Sequence, residues 1–497
     1  MTVIETTAIG SRRELFVDEL LVDRLDRARL KLHDPKPGGT AINYDTPWEG
    51  YPDAPDSFYT TVLREGDTYR MYYRGGEDIT RSLTCYAKSS DGITWIKPRL
   101  GLVEVDGSTD NNVIGFPNAP QFCAFRDTRP GVPELERYKA NALRTTRADN
   151  VGLFAYVSGD GIHWSRLCEE PIVANVLRNH FDSQNVMFWS EVEEQYVLYA
   201  RHMVGGKRAT ARATSYDFLD WTEPTLMTYS DTGTTIPSEH LYTNQTHPYF
   251  RAPHIYISLA GRIFFDRRTL TDEEMAYAEK DVNPRSGKPK DCSDGVLLTT
   301  RAGTTTYNFT FKESFVRPGI GYSNWTTRNN YPALGVVQTG STEMSFYVQR
   351  DYAQKTSYLE RMTLRLDGFA SLNAPYDGGE MTTRPLTFEG NKLEINYSTS
   401  AAGSIKVELQ DAEGRTLPGY GLRECRELIG DEIEGVVAWE GGSDLGALTG
   451  KPVRLRFAMR DADVFSFQFK ARPANDLISE TGGVHHSQQA TSGGNIA

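Results

Sequence analysis

Residues 51–76 read Y-P-D-A-P-D-S-F-Y-T-T-V-L-R-E-G-D-T-Y-R-M-Y-Y-R-G-G. Asp53 and Asp56 lie in a proline-rich loop, and residues 58–64 follow directly as an apolar strand. A Gly-containing turn then returns the chain as a second strand, residues 68–74. Because an acidic loop followed by a hairpin recurs down the chain, we interpret this unit as the inner half of a β-propeller blade. The acids are then expected at the mouth of the central channel.

A second recurring pattern supports the propeller. Residues 87–95 (A-K-S-S-D-G-I-T-W), 156–164 (Y-V-S-G-D-G-I-H-W) and 213–221 (A-T-S-Y-D-F-L-D-W) each lead from a strand through Ser and an Asp-containing turn to Trp. Asp-Gly supplies the positive φ that a tight hairpin needs. The Trp is expected to pack between neighbouring sheets. These positions are therefore structural.

The repeats predict an all-β chain of two domains and a tail. Five hairpin units give a five-bladed β-propeller over residues 1–372. Within it, residues 1–45 form a lead segment whose strand is expected to pair late, completing the last blade. Blade four is placed at strands starting from Pro248 and Asp294, around a helical insertion, T-D-E-E-M-A-Y-A-E-K-D.

After the propeller the pattern changes. Residues 373–472 contain short alternating strands joined by Gly, Asp and Pro turns, which is typical of an antiparallel β-sandwich. The polar, Gly-rich residues 473–497 are expected to be disordered.

Composition narrows the function classes. Among the 497 residues, 39% are hydrophobic and 24% charged, with a net charge of −12, which argues against nucleic acid or an anionic membrane as the main partner. The five cysteines form no C-x-x-C motif, which predicts reduced thiols and neither a metal site nor a disulfide framework. The N-terminus lacks a basic and apolar leader, so a cytoplasmic location without cofactor is expected. A homo-oligomer is left open.

The predicted architecture resembles the glycoside hydrolases of the invertase, levanase and fructosidase type, and is similar to the arabinanase and arabinofuranosidase propellers. The invertase family carries W-M-N-D-P-N-G before its first strand. Here Y-P-D-A-P-D-S stands there, so the resemblance places Asp53 or Asp56 at the nucleophile's position. The family's R-D-P resembles R-D-T at Arg126 and Asp127. Its E-C motif does not occur, and H-F-D-S-Q-N with Asp182 stands near that place. The resemblance implies a divergent propeller glycosidase.

Glycoside hydrolysis generally needs two carboxyl groups facing one bond, held in environments that separate their pKa values. In a propeller, acids from different blades meet only where each inner strand starts. That criterion selects Asp53 (with Asp56 as the alternative), Asp182 and Glu239 as the candidate catalytic residues. Glu239 is the preferred general acid.

Polar and aromatic residues near the same ends are the candidates for gripping the sugar. The stretch S-E-H-L-Y-T-N-Q-T-H-P is unusually rich in polar groups, Trp325 offers a ring for stacking, and Asp127 either orients substrate or forms a structural ion pair. The predicted substrate-binding residues are Asp56, Asn118, Asp127, His240, Tyr242, Asn244, Gln245, Trp325, Arg328 and Asn329.

The sequence therefore predicts hydrolysis of a small furanoside or oligosaccharide, of fructoside or arabinoside type. Two alternatives stay open. A glycoside phosphorylase would need a cationic phosphate pocket, which Arg328 or His240 could supply. A non-catalytic carbohydrate-binding propeller would not need converging acids.

Overall fold

The computed structural model describes residues 6–51, 57–76, 82–115, 121–145, 150–174, 180–265, 267, 269–274, 291–326 and 328–471, with backbone alone at 144, 145, 150 and 151. The described chain divides into two compact units. One contains residues 15–20 and 30–372; the other contains 6–14, 21–29 and 373–471. In the described part, no helix is both long and apolar enough to span a bilayer.

The larger unit is a five-bladed propeller, as predicted. Blade 1 consists of Phe58–Glu65, Thr68–Gly75, Leu83–Ser89 and Val113–Gly115. Blade 2 consists of Cys123–Arg126, Tyr138–Thr145, Asn150–Ser158, Ser165–Arg166 and Val173–Ala174. Blade 3 consists of Val186–Ser190, Gln195–Val204, Lys207–Ser215 and Thr225–Leu226. Blade 4 contains His240–Thr243, Thr246–Tyr249, Ala252–Phe264 and Cys292–Arg301. Blade 5 consists of Val337–Gln338, Glu343–Arg350, Tyr358–Arg365 and Lys36–Asn43. Thr228–Tyr229 and Thr306–Tyr307 pair as a small parallel ribbon.

The inner strands are buried on both faces because each blade packs between two neighbours. In blade 1, residues 58–62 are all buried, and in blade 3 six consecutive residues, 196–201, are buried. Such strands are continuous apolar runs rather than alternating ones. This packing follows from the Val, Tyr and Phe content of the hairpins, since these side chains fit a pleated, buried surface.

The tryptophan turns are confirmed as structural. In blade 2, Asp160 Oδ1 accepts the backbone N–H groups of Ile162 and His163, both at 2.8 Å. Trp164 packs edge-on against Tyr72 of blade 1, with ring centroids 6.0 Å apart. Tyr72 also donates to the Gly161 carbonyl at 2.8 Å, so the turn ties two neighbouring blades together.

The ring of blades closes as expected from the lead segment. Strand Lys36–Asn43 pairs antiparallel with Tyr358–Arg365, placing Ile42 opposite Leu359. The first propeller strand in the chain therefore forms the outer edge of the last blade.

Blade 4 differs from its predicted layout. The stretch from His240 to Tyr249, expected to be a loop before the blade, is the innermost strand, interrupted at Asn244–Gln245. The strand predicted from Pro248 is the second, Ala252–Phe264. Polar residues concealed the inner strand, because Thr243, Asn244 and Gln245 interrupt the apolar run that is expected of a buried strand. Of the predicted helical insertion, a helical turn is seen at residues 272–274, and 275–281 lie outside the described residues.

The second unit is rich in β-structure. Its two long strands, Lys392–Asp411 and Val453–Lys470, run antiparallel along most of their length with register shifts near residues 396–404. Its other strands are Thr7–Gly10, Val22–Asp26, Gly379–Thr383, Leu386–Phe388 and Asp431–Val436. A two-layer sandwich stays a prediction.

The predicted domain boundary differs from the structure at the N-terminus. Strand Thr7–Gly10 pairs with Leu386–Phe388, and Val22–Asp26 pairs with Gly379–Thr383. These parts of the lead segment therefore belong with the C-terminal unit, because local pattern marks a strand without naming its partner. Strands at the passages between units are Arg13–Leu15, Arg29–Leu32 and Ala370–Ala374. Short 3-10 helices are Pro47–Glu49, Glu134–Glu136, Tyr322–Trp325 and Gly446–Leu448.

Candidate active site

At one end of the propeller, the first strand of each blade starts and the second strand ends. In an antiparallel hairpin these two points lie at the same edge of the sheet. We call this cluster the mouth; its members are Tyr59, Arg74, Asp182, Arg201, Arg208, Tyr242 and Arg328.

Aromatic rings form the floor of the mouth. Phe58 stacks near Tyr59, Tyr331 and Tyr352, with ring centroids at 4.2, 5.6 and 5.2 Å. Tyr242 joins the cluster 5.3 Å from Tyr331. All five rings are buried. The cluster is therefore a packed aromatic support for the polar groups of the mouth.

Tyr59 is held in an unusual conformation. Its φ is +53°, in the left-handed region that side-chain-bearing residues rarely occupy. Burial raises the pKa of Tyr59 well above its usual value, with the charges of Tyr242 and Asp182 adding to the effect. The ring is therefore a neutral phenol near the carboxylate. Backbone strain of this kind is characteristic of functional sites.

Among the residues that the structure describes, Asp182 supplies the carboxylate of the mouth. Its Oδ2 lies 3.1 Å from an Arg201 nitrogen, and its Oδ1 accepts a hydrogen bond from the Gln121 amide at 3.4 Å. The Asp182 side chain is 46% exposed, whereas that of Arg201 is 4% exposed. A buried guanidinium thus orients a carboxylate that a ligand can reach, as a nucleophile, a base or an acid requires.

Guanidinium groups surround the rings. Arg201, Arg208 and Arg328 lie 5.7, 5.2 and 5.7 Å from the centroid of the Tyr242 ring. Arg74 lies 5.1 Å from the ring of Tyr59. Four guanidinium cations thus lie around one aromatic floor. Cation–π attraction to the rings contributes to holding these charges there.

The described contacts of Glu239 lie outside the mouth. Burial lowers the pKa of Arg262, whereas Asp294 and, more weakly, Glu239 raise it. Oε2 of Glu239 accepts a hydrogen bond from the Ser238 hydroxyl. His240 follows it, with its ring 5.0 Å from Phe265. Burial lowers the pKa of His240, and Arg208 lowers it further. Tyr242 and His240 thus border the mouth, and no described contact brings Glu239 to Asp182.

Asn244 and Gln245 are corrected from substrate contacts to structural residues. Asn244 is buried, and its side chain spans the strand break by accepting from the Thr246 N–H at 3.0 Å. Gln245 donates to Gln184 at 2.8 Å, and Gln184 donates to Thr61 at 2.7 Å. These hydrogen bonds connect blade 4 to blade 1 through Gln184, which precedes the first strand of blade 3.

Asp127 is also corrected. It follows the end of the first strand of blade 2, so it lies at the edge opposite to the mouth. Its Oδ2 accepts from Lys139 at 2.7 Å and from Tyr196 at 2.6 Å, and both charged side chains are almost fully buried. The alternative of a structural ion pair is the one that the geometry supports, with Lys139 as the partner.

In blade 5, only Arg328 of the three predicted contacts lies at the mouth. Asn329 is fully buried and bonds to Thr326 and to the Tyr352 backbone N–H, at 2.5 and 2.6 Å, so it is structural. Trp325 instead lines a separate open pocket of about 510 Å³, together with Arg262. Asn329 is adjacent to Arg328 in the sequence, but its side chain does not share the direction of the arginine side chain.

Asp53, Asp56 and Asn118 lie outside the described residues. Within the described part of the chain, no three His, Cys, Asp or Glu side chains converge as a metal site would require. All five cysteines are free, four of them buried.

Sequence reasoning selected Arg328 and missed the other arginines of the mouth. Arg74 lies next to the end of the second strand of blade 1, Arg201 lies in the second half of that of blade 3, and Arg350 ends that of blade 5. The recurring signal was visible as M-Y-Y-R, L-Y-A-R and Y-V-Q-R. Searching the repeats for acids alone passed over it.

Two histidines beside the mouth were also missed. The rings of His180 and His202 lie 4.1 Å apart. Burial lowers the pKa of His202 from 6.5 to about 4, and His180 contributes to the shift. Burial and Arg201 lower the pKa of His180. Both rings are therefore neutral near pH 7.

No known family and no curated protein matches the sequence. Solved structures do resemble the fold. A family 43 arabinoxylan arabinofuranohydrolase from Bacillus subtilis is 12% identical, with 88% of this chain and 99% of that chain covered and a TM-score of 0.39. The catalytic domain of a family 62 α-L-arabinofuranosidase from Coprinopsis cinerea is 9% identical, with 67% and 97% covered and a TM-score of 0.43. An N-acetylgalactosamine deacetylase from F. plautii is 12% identical, with 68% and 96% covered and a TM-score of 0.44. Likenesses of this size do not determine an activity.

Proposed function

We propose that the protein is a glycoside hydrolase whose reaction takes place at the mouth of the propeller. The observation that carries the proposal is Asp182: a reachable carboxylate, oriented by the buried Arg201 and set beside the aromatic floor. Glycoside hydrolysis needs a group of this kind, because a carboxylate acts on the glycosidic bond as a nucleophile or a base.

Hydrolysis needs a second carboxyl group. The candidates are Asp53 and Asp56, which precede Phe58 and Tyr59 of the floor in the sequence, and Glu239. We propose Asp53 or Asp56 as the partner of Asp182, because both directly precede the strand that carries Tyr59, whereas the described interactions of Glu239 are with Ser238 and Arg262. The preferred substrate is a small furanoside or oligosaccharide.

The test compares four variants, Asp53→Asn, Asp56→Asn, Asp182→Asn and Glu239→Gln, on aryl glycosides, arabino-oligosaccharides and fructo-oligosaccharides. Loss of one carboxyl group of the pair should lower kcat about 100- to 10,000-fold. Asp110→Asn is the matched control, since Asp110 is exposed and pairs only with the exposed Arg99 in the described chain. Full activity of Asp182→Asn on every cleaved substrate would refute the proposal.

A glycoside phosphorylase is the second candidate, and the ring of guanidinium groups is the observation that favours it. In that reaction phosphate replaces water as the acceptor. Turnover measured with and without inorganic phosphate separates the two. Phosphate-dependent release of a sugar phosphate would establish the second candidate, and unchanged turnover would exclude it.

A further inference from the structure

Arg208 makes no ion pair with any residue in the described part of the chain. Its Nε is buried without a hydrogen-bond partner. Its guanidinium lies over Tyr242 at 5.2 Å and over Phe265 at 4.7 Å. Buried N–H groups are normally satisfied, so an unsatisfied one near the reachable carboxylate of Asp182 needs an explanation.

The surroundings of Arg208 add to the free-energy cost of burying its Nε without a hydrogen-bond partner. Burial lowers the pKa of Arg208, and the charge of Arg201 lowers it further. Arg201 and Arg328 lie around the same tyrosine ring. Like charges gathered in a partly desolvated place repel one another, and a bound anion removes the repulsion.

A second unsatisfied group lies in the same place. The hydroxyl of Tyr331 is buried and has no hydrogen-bond partner, and its ring is 5.3 Å from that of Tyr242. Arg208 and Arg328 both act electrostatically on this hydroxyl. Two donors without acceptors, on different blades, thus flank one aromatic ring.

We infer that the mouth recognises a sugar that carries a negatively charged substituent, a uronate carboxylate or a sulfate ester, with Arg208 as the main anion contact. The inference rests on the proposed function for its sugar component. A guanidinium presents a planar fork of donors that matches two oxygens of such a group. Asp182 would then act at the ring carbon, while Arg208 holds the charged substituent.

Binding, rather than turnover, tests the inference, so that its outcome is separate from that of the hydrolysis proposal. Dissociation constants are measured by calorimetry for D-glucuronate, D-galacturonate and galactose 6-sulfate, with glucose and galactose as neutral probes. Wild-type protein is used, since these free monosaccharides have no glycosidic bond that it could cleave. We expect the charged sugars to bind at least tenfold more tightly than the neutral ones.

Arg208→Met should weaken binding of the charged sugars about 10- to 100-fold, and leave the neutral ones unchanged. Arg64→Met is the matched control: Arg64 also lies over a tyrosine, 5.5 Å from the ring of Tyr69, but at the opposite end of its strand. If Arg208→Met fails to fold, Arg208→Lys replaces it, since it keeps the charge and loses the fork.

Three results would overturn the inference. The first is equal affinity for neutral and charged sugars. The second is unchanged binding of uronate and sulfated sugar by both Arg208 variants. The third is binding of inorganic phosphate or sulfate as tight as that of the charged sugars, which would assign the arginines to a free anion instead.

Discussion

Asp127 and Lys139 show how a charged residue can serve the core of a propeller. Their side chains meet at 2.7 Å with almost no exposure, and Tyr196 and the Arg129 backbone N–H complete the bonding of the carboxylate. Tyr196 belongs to blade 3, so its hydrogen bond to Asp127 links blade 2 to blade 3. A buried pair costs desolvation energy, but removing one partner costs more, because the other charge is left uncompensated.

We therefore predict that Asp127→Ala lowers the free energy of unfolding by about 3–5 kcal/mol. Denaturant titration followed by tryptophan fluorescence measures it. Asp110→Ala is the control, because its exposed pair with Arg99 is worth only about 0–1 kcal/mol. Equal stability of the two variants would show that the Asp127 pair is not a core interaction.

His202 gives the protein a predictable acid sensitivity. Its folded pKa of about 4 lies below the usual 6.5, mainly because of burial, so the unfolded chain takes up the proton first. The stability due to neutral His202 is complete above pH 6.5 and is lost as the pH falls towards 4.

His202→Gln should accordingly flatten the fall in melting temperature between pH 6.5 and 4. His180 and Arg201, which adjoin the His202 ring in the wild type, are not substituted in this variant. Thermal melts of the wild type and the variant, recorded in steps from pH 8 to 4, check the prediction. Between pH 7 and 8 both proteins should show the same slope, and parallel curves over the whole range would contradict it.

At the level of elements, the tryptophan turns join one blade to the next. Gly161 has φ +74°, and a Cβ there would lie 2.6 Å from the Tyr72 hydroxyl of blade 1. Gly131 has φ +77°, and a Cβ there would meet nothing within 4 Å. The two positions separate backbone strain from crowding between blades.

Gly131→Ala should destabilise the protein by about 1 kcal/mol, the cost of the left-handed backbone alone. Gly161→Ala adds overpacking of about 1–3 kcal/mol. Equilibrium unfolding in urea provides both values. A Gly161→Ala variant no less stable than Gly131→Ala would mean that this turn does not constrain the neighbouring blade.

At the level of the whole molecule, the propeller depends on closure of its ring. Strand Lys36–Asn43 supplies the outer edge of blade 5, far in sequence from its partner Tyr358–Arg365. Ile42 is buried there, whereas Thr40 on the same strand is exposed. Because these two strands are far apart in the sequence, the contacts that close the ring form only after both strands have come together.

Ile42→Ala should cost about 2–5 kcal/mol, and Thr40→Ala should stay within about 0.5 kcal/mol. The whole propeller should unfold at a lower temperature. Calorimetry measures this temperature, and limited proteolysis reports on blade 5. Selective loss of blade 5 while the other four blades melt unchanged would argue that closure does not hold the ring together.

The sequence by itself determined the repeated hairpins and the three tryptophan turns, because each depends on alternation and turn chemistry within a few residues. The late pairing of the first propeller strand followed from the number of repeats, because a closed ring of blades needs a strand to complete the last one. Asp182 could be proposed from the sequence because its position before an inner strand is also local. Only the tertiary structure decided that Asp127 and Asn329 are buried and that Arg74, Arg201, Arg208 and Arg328 share one mouth. The physical reason is that radial packing sets which strand ends meet, and burial sets which charges are satisfied. Neither depends on neighbours in the chain.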